Sequence, residues 1–136
     1  MEAMPLLEKL VEVTPDDPIA WFQLAKVYEK LDLRHISDLH TIDSGIMAFR
    51  RVLELDPHNL EAAFALMEIY LNLRKPEEAI GVLEAAVESN PEEPLAYYNL
   101  ISTYEKAKRF AEADQTRERL KQRFASRRAA PESKDK

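Results

Sequence analysis

Apolar side chains return along this chain at steps of three and four residues, the spacing that gathers them on one face of an α-helix. Between residues 60 and 73 the positions Ala63, Leu66, Met67, Tyr70 and Leu73 form one such stripe. After Arg74-Lys75-Pro76 a second stripe runs through Ala79, Ile80, Leu83, Ala86 and Val87. It stops at Asn90-Pro91, because proline cannot continue a helix. The pattern predicts two helices joined by a short turn. The same layout recurs elsewhere: Pro15, Pro57 and Pro91 each follow an apolar stretch and are separated by 42 and 34 residues. Tyr28, Tyr70 and Tyr104 keep those two steps, as do Leu24, Leu66 and Leu100, and Trp21, Ala63 and Tyr97. A small residue recurs at Ala3, Gly45, Ala79 and Ala113. A register shared by so many columns identifies an internal repeat. One hairpin cannot cover its own apolar face, so neighbours are expected to stack into a right-handed superhelix with a concave side.

The stretch Trp21-x-x-Leu24-Ala25-x-x-Tyr28, followed by Gly45, Phe49 and Pro57, resembles the tetratricopeptide repeat, TPR. The next unit offers Leu66, Met67, Tyr70, Ala79, Leu83, Ala86 and Pro91. The resemblance implies an all-α fold, an α-solenoid of TPR helical hairpins, over residues 1–128. Its parts are a half repeat at 3–17 and full repeats at 18–59, 60–93 and 94–125. Residues 129–136 lack an apolar pattern and are expected to form a disordered tail. Ala63 stands where the repeat has a large aromatic, and Met67 and Ile101 where a small residue usually lets two helices approach closely.

Three columns on the second helix of each unit are expected to face the following repeat. They hold Met4, Leu7 and Val11, then Ile46, Phe49 and Leu53, then Ile80, Leu83 and Val87. In the last unit the matching residues are Asp114, Arg117 and Lys121, which are costly to bury unpaired and predict a polar C-terminal cap. Ala113, Leu120 and Phe124 stay apolar and hold that helix on. At the other end, residues 3–14 match a second helix whose first helix is missing, which leaves the edge of Ala3 and Leu10 uncovered. Either the chain is a piece of a longer array, or a partner or second copy covers that edge by self-association.

The first full repeat exceeds the 34-residue period by eight residues, placed between Tyr28 and Gly45. The spacing of Ile36, Leu39, Ile42, Ile46, Phe49 and Leu53 predicts a second helix starting near Ser37 as its N-cap, with a flexible loop as the alternative. The insertion carries His35, Asp38, His40 and Asp43, types that ligate zinc or nickel. Of these, on a helix, only His40 and Asp43 share a face, so a solvated polar edge is expected and no metal site is assigned.

Composition narrows the function. Without cysteine there are no disulfides, thiolate metal sites or thiol nucleophiles. Two glycines are too few for phosphate-cradling loops. Glu77-Glu78 and Glu92-Glu93 are expected to open helices, facing the positive end of the helix dipole, and His58 in Asp56-Pro57-His58-Asn59 reads as a turn residue. No nucleophile and base, and no catalytic carboxylate pair, emerges, so no catalytic residue, cofactor or enzymatic activity is expected. The formal net charge of −6 argues against nucleic acid as a general partner. Charge is unevenly placed, net −12 over residues 1–105 and +6 over 106–136. Arg117, Arg119, Lys121, Arg123, Arg127 and Arg128 make the last helix basic, and a solvated cap offsetting an acidic array is expected there. There is no apolar run long enough for a membrane span and no signal peptide in this chain, which leaves the compartment unknown and the cytoplasm as the default.

In TPR proteins the first helix of each hairpin lines the concave groove. The resemblance places Phe22, Phe64 and Tyr98 there, with Lys26, Glu68 and Ser102 one turn further along the same face. Three aromatics in line suit the anchoring of a peptide; the alternative is that they only pack against neighbouring hairpins. The TPR clamp for C-terminal carboxylates is absent, because Phe22, Lys26, Ala65, Leu95 and Asn99 occupy its positions and only Lys26 has a suitable charge. The expected function is a non-catalytic TPR scaffold that binds a partner peptide or domain in its groove. Glu61, Glu68 and Glu105 would favour basic residues in that partner. The alternative is a structural or self-association module, a fragment of a longer array.

Overall fold

Three copies of one turn punctuate the chain. The amide of Asp17 bonds to the Thr14 carbonyl at 3.2 Å, that of Asn59 to Asp56 at 3.2 Å, and that of Glu93 to Asn90 at 3.1 Å. Pro15, Pro57 and Pro91 each sit at the second position of their turn, where a fixed φ near −65° costs nothing. The structure, a computed structural model, describes residues 3–34 and 39–134. Among these residues there are seven helices and no strand: α1 (Ala3–Val13), α2 (Pro18–Arg34), α3 (Leu39–Leu55), α4 (Leu60–Asn72), α5 (Pro76–Ser89), α6 (Pro94–Lys106) and α7 (Phe110–Lys134). Helices α2, α4 and α6 begin at Pro18, Leu60 and Pro94. The chain divides into two compact units, Met1–Ile69 and Tyr70–Lys136.

In the first unit α1 packs on α2, burying Val11, Ala20 and Leu24 with Leu7, Trp21 and Tyr28 packed around them. Helix α3 pairs with α2 along Ala48, Phe49 and Val52, all buried. Gly45 marks the close approach, since a methyl group there would stand 3.4 Å from the Tyr28 Cβ. Ser37 and its expected capping role, like His35 and Asp38, lie outside the described residues; from Leu39 onward the insertion is helical.

The second unit uses the same devices. Ile80, Leu83 and Val87 of α5 are buried, and α6 packs on that helix. Helix α7 packs on α6 through buried Ala113 and through Phe124, whose ring meets Tyr97 edge-on at 6.1 Å. The two short hairpin tips are superposable in their bonding. Arg74 and Lys108 take left-handed φ values of 60° and 62°. Lys75 then donates to the Tyr70 carbonyl and Arg109 to that of Tyr104, each at 2.8 Å, closing both helices with a Schellman motif.

Two expectations are corrected. Residues 129–134 are not separate from the array's last helix: α7 runs on to Lys134, through Ala129 and Ala130, the strongest of helix formers. Glu92 and Glu93 precede α6 rather than opening it, Glu93 standing at the N-cap and Pro94 taking the first turn. Glu77 and Glu78 do lie in the first turn of α5.

Candidate functional site

The helix period distributes the expected binding residues over three first helices. In the first unit Phe22 is half-buried on α2, its ring edge-on to the buried Phe49 at 6.2 Å, so packing accounts for part of its surface. Lys26, one turn on, holds Glu29 at 3.2 Å and Glu61 of α4 at 3.8 Å. Phe64 is half-buried and Glu68 exposed on α4. In the second unit Tyr98 is 57 % exposed on α6, and Ser102 lies half-buried on the same face.

Tyr98 and Ser102 come together in an open groove of about 460 Å³ whose other walls are Ile101, Glu105, Arg117, Leu120 and Lys121. Its floor is apolar and its rim charged. Glu105 is bound by Arg117, which also reaches Asp114 at 2.7 Å, so Glu105 does not add an uncompensated negative charge. The reading that acids would draw a basic partner is weakened in the same way by the Lys26 and Glu61 pair.

The basic face of α7 is met by acids within its own unit. Arg119 reaches Glu88 at 3.3 Å and Arg123 reaches Glu92 at 2.5 Å. Arg119 also lies over the Tyr97 ring at 5.8 Å. The hydrogen bond that Arg123 donates to Glu92 raises the Arg123 pKa further above its ordinary range. At the hairpin tip Arg109 binds Glu112 and, at 2.5 Å, Glu77; the hydrogen bond from Arg109 holds the Glu112 carboxyl below the usual carboxylate range. Among the described residues no three histidines, aspartates or glutamates gather where they would hold a metal ion.

Other contacts were not anticipated. The Trp21 indole donates to the Pro15 carbonyl at 2.9 Å, and the Tyr97 hydroxyl to the Pro91 carbonyl at 3.1 Å, tying each hairpin to the turn before it. Tyr28 donates to Glu8 at 2.7 Å and Tyr104 to Glu84 at 2.5 Å, both across 20 residues of chain. Burial first, then the glutamate bond, pushes both tyrosines up to about 12. A search for tyrosine and glutamate in one repeat register would have found these pairs. The groove wall was hidden because Lys121 stands in the column that reads as a polar cap and Leu120 in the one that reads as holding the helix on.

The TPR family profile matches residues 40–96 and 73–130. No curated protein sequence matches the chain significantly. Among solved structures, a crystal structure of MamA aligns with a TM-score of 0.72 at 19 % identity, over 94 % of this chain and 66 % of that one. A second crystal structure of MamA gives 0.66 at 20 % identity, over 88 % and 66 %. MamA from Desulfovibrio magneticus RS-1 gives 0.63 at 21 % identity, over 90 % and 64 %. The chain thus spans just under two-thirds of the length of these structures, and identities this low speak for the fold alone. With repeated turns, tips and tyrosine pairs in one register and the family profile covering most of its length, the chain belongs to the tetratricopeptide repeat family.

Proposed function

We propose that the chain is a non-catalytic scaffold that captures a partner peptide or domain with the exposed face of its first helices, through Phe22 and Phe64 with Lys26 and Glu68, and through Tyr98 with Ser102. Protein interaction is the general role of TPR repeats. The observation that carries the finer reading is Tyr98, a large aromatic 57 % exposed beside an apolar-floored groove. Aromatic anchors of this kind supply much of an interface's free energy. Changing Phe64 and Tyr98 together to Ala is expected to weaken partner capture by about tenfold or more while the chain stays folded. Unchanged capture would move the site elsewhere.

A second reading rests on α1. Leu6, Leu10 and Val13, spaced by four and three residues, are 72 %, 43 % and 72 % exposed and form an apolar stripe along α1. Such a stripe favours self-association or continuation of a longer array. The mass in solution tests it: a dimer that dissociates on Leu10→Asp supports self-association, and a monomer across the working concentration range removes it.

A further inference from the structure

Within the second unit, α6 packs on α5, the helix that carries buried Ile80, Leu83 and Val87. One 34-residue period later, the same register on α7 holds Asp114, Arg117 and Lys121. The space beside Arg117 and Lys121 remains open as the groove of about 460 Å³, floored by Tyr98, Ile101 and Leu120. The repeat itself therefore shows what shape fits next to a second helix: another helix, lying where a following hairpin would begin.

Its chemistry follows from the substituted charges. An apolar helix laid over this face would desolvate the Lys121 ammonium without offering it a carboxylate, at a cost. Arg117 is held by Glu105 and Asp114 within its own unit. Lys121 pairs with Glu118 one turn back at 3.6 Å, with 74 % of its side chain exposed, a contact of little strength that leaves it available to a stronger carboxylate. We infer that this groove seats an acidic amphipathic helix of a partner protein, its apolar stripe on Tyr98, Ile101 and Leu120 and a carboxylate at Lys121. The site shares Tyr98 and Ser102 with the proposed first-helix surface, and in that part rests on that reading, but it adds Ile101, Leu120 and Lys121 and needs neither Phe22 nor Phe64.

Two synthetic helices of about the length of α6 supply the probe, each with one leucine stripe, one flanked by glutamates and the other by lysines. Titrated against the full chain by fluorescence anisotropy, the acidic helix is expected to bind about tenfold more tightly than the basic one, with affinity falling as salt is added. Lys121→Glu, at an exposed position, is expected to narrow or reverse that preference, and Leu120→Asp to weaken both helices. Phe64→Ala removes an anchor of the first-helix surface that does not line this groove, so acidic-helix binding that falls with it would place the helix on that surface and overturn the proposal. Equal binding of the two helices, no binding of either, or a preference insensitive to Lys121→Glu would overturn the proposal and leave a solvated cap. A dimer of the chain that Lys121→Glu dissociates would overturn it too, by making a second copy the occupant.

Discussion

The Tyr104 hydroxyl donates to Glu84 Oε2 at 2.5 Å, and Tyr28 makes the same bond to Glu8 at 2.7 Å, each glutamate lying 20 residues before its tyrosine. The phenol joins the first helix of a hairpin to the second helix of the one before, so a single column of the repeat both buries an aromatic ring and fixes the neighbour's position. In the middle repeat Tyr70 is buried, but the residue 20 before it is Arg50. Only the outer two tyrosines therefore have a carboxylate in this register.

These bonds set a pH dependence. Both tyrosines rise from an ordinary value of 10.0 to about 12, through burial and then through the glutamate. A raised folded-state pKa means that the stabilisation is fully present below pH 10 and is lost as pH climbs through the interval from 10 to 12. Tyr104→Phe is expected to cost about 1–2 kcal/mol at neutral pH, the range for a charge-assisted bond to an exposed partner. Thermal melts across the alkaline range check this: the gap between the native chain and Tyr104→Phe should shrink above pH 10. A constant gap would show that the bond does not carry the difference.

Arg74 and Lys108 hold left-handed φ values of 60° and 62°, a conformation that costs a side-chain-bearing residue about 1 kcal/mol and glycine almost nothing. Both tips make the two hydrogen bonds of a Schellman motif, where glycine is the commonest occupant. Arg74→Gly and Lys108→Gly are each expected to raise stability by about 0.5–1 kcal/mol, read as an increase in Tm. The gain should be smaller for Lys108→Gly if the neighbouring Arg109 contacts to Glu77 and Glu112 already restrain that tip.

The two glycines separate propensity from packing. A methyl group on Gly81 meets nothing within 4 Å, so Gly81→Ala is expected to stabilise α5 by about 1 kcal/mol through helix propensity alone. At Gly45 the methyl would lie 3.4 Å from the Tyr28 Cβ, an ordinary contact, and the equivalent residues Ala79 and Ala113 are buried alanines. Gly45→Ala is therefore expected to be neutral or mildly stabilising. Gly45→Leu places its bulk into the same approach of α2 and α3 and should cost about 1–3 kcal/mol. Urea titrations of the three variants test the order.

The helices and their repeat were legible because periodicity three and four, proline spacing and the small-residue column all describe backbone packing, which the chain must satisfy everywhere. Phe49, Leu83 and Ala113 are buried as their columns require. What escaped the sequence was directional. Nothing in a local pattern announces that Trp21 and Tyr97 will bond to the prolines' carbonyls six residues back, or that Arg74 and Lys108 will turn left-handed without a glycine. The binding residues were less legible still. Phe22 was assigned to a groove by resemblance, yet its ring also packs on Phe49. Glu105 and Arg117 were read as separate features, an acid of the groove and a base of the cap, whereas they form one ion pair at the groove's wall.

That pairing raises the question of what holds α7 in place, its many ion pairs or its few apolar contacts. Arg119 to Glu88 and Arg123 to Glu92 span from α7 to α5 and the turn after it, but their arginine side chains are 51 % and 42 % exposed. Exposed pairs of this kind contribute about 0–1 kcal/mol and weaken with salt. Phe124 instead sets its ring edge-on against buried Tyr97 at 6.1 Å, an aromatic contact that adds to the area it removes from water. Phe124→Ala is therefore expected to cost about 1–3 kcal/mol, and Arg123→Gln clearly less. Because the contact lies on the later part of α7, its loss should release that segment first. Hydrogen exchange resolved by residue checks it: after Phe124→Ala the amides of α7 beyond Arg119 should exchange faster, while those around Leu100 and Ala113 keep their protection. If Arg123→Gln frees the segment as fully as Phe124→Ala does, charge rather than ring packing anchors the helix.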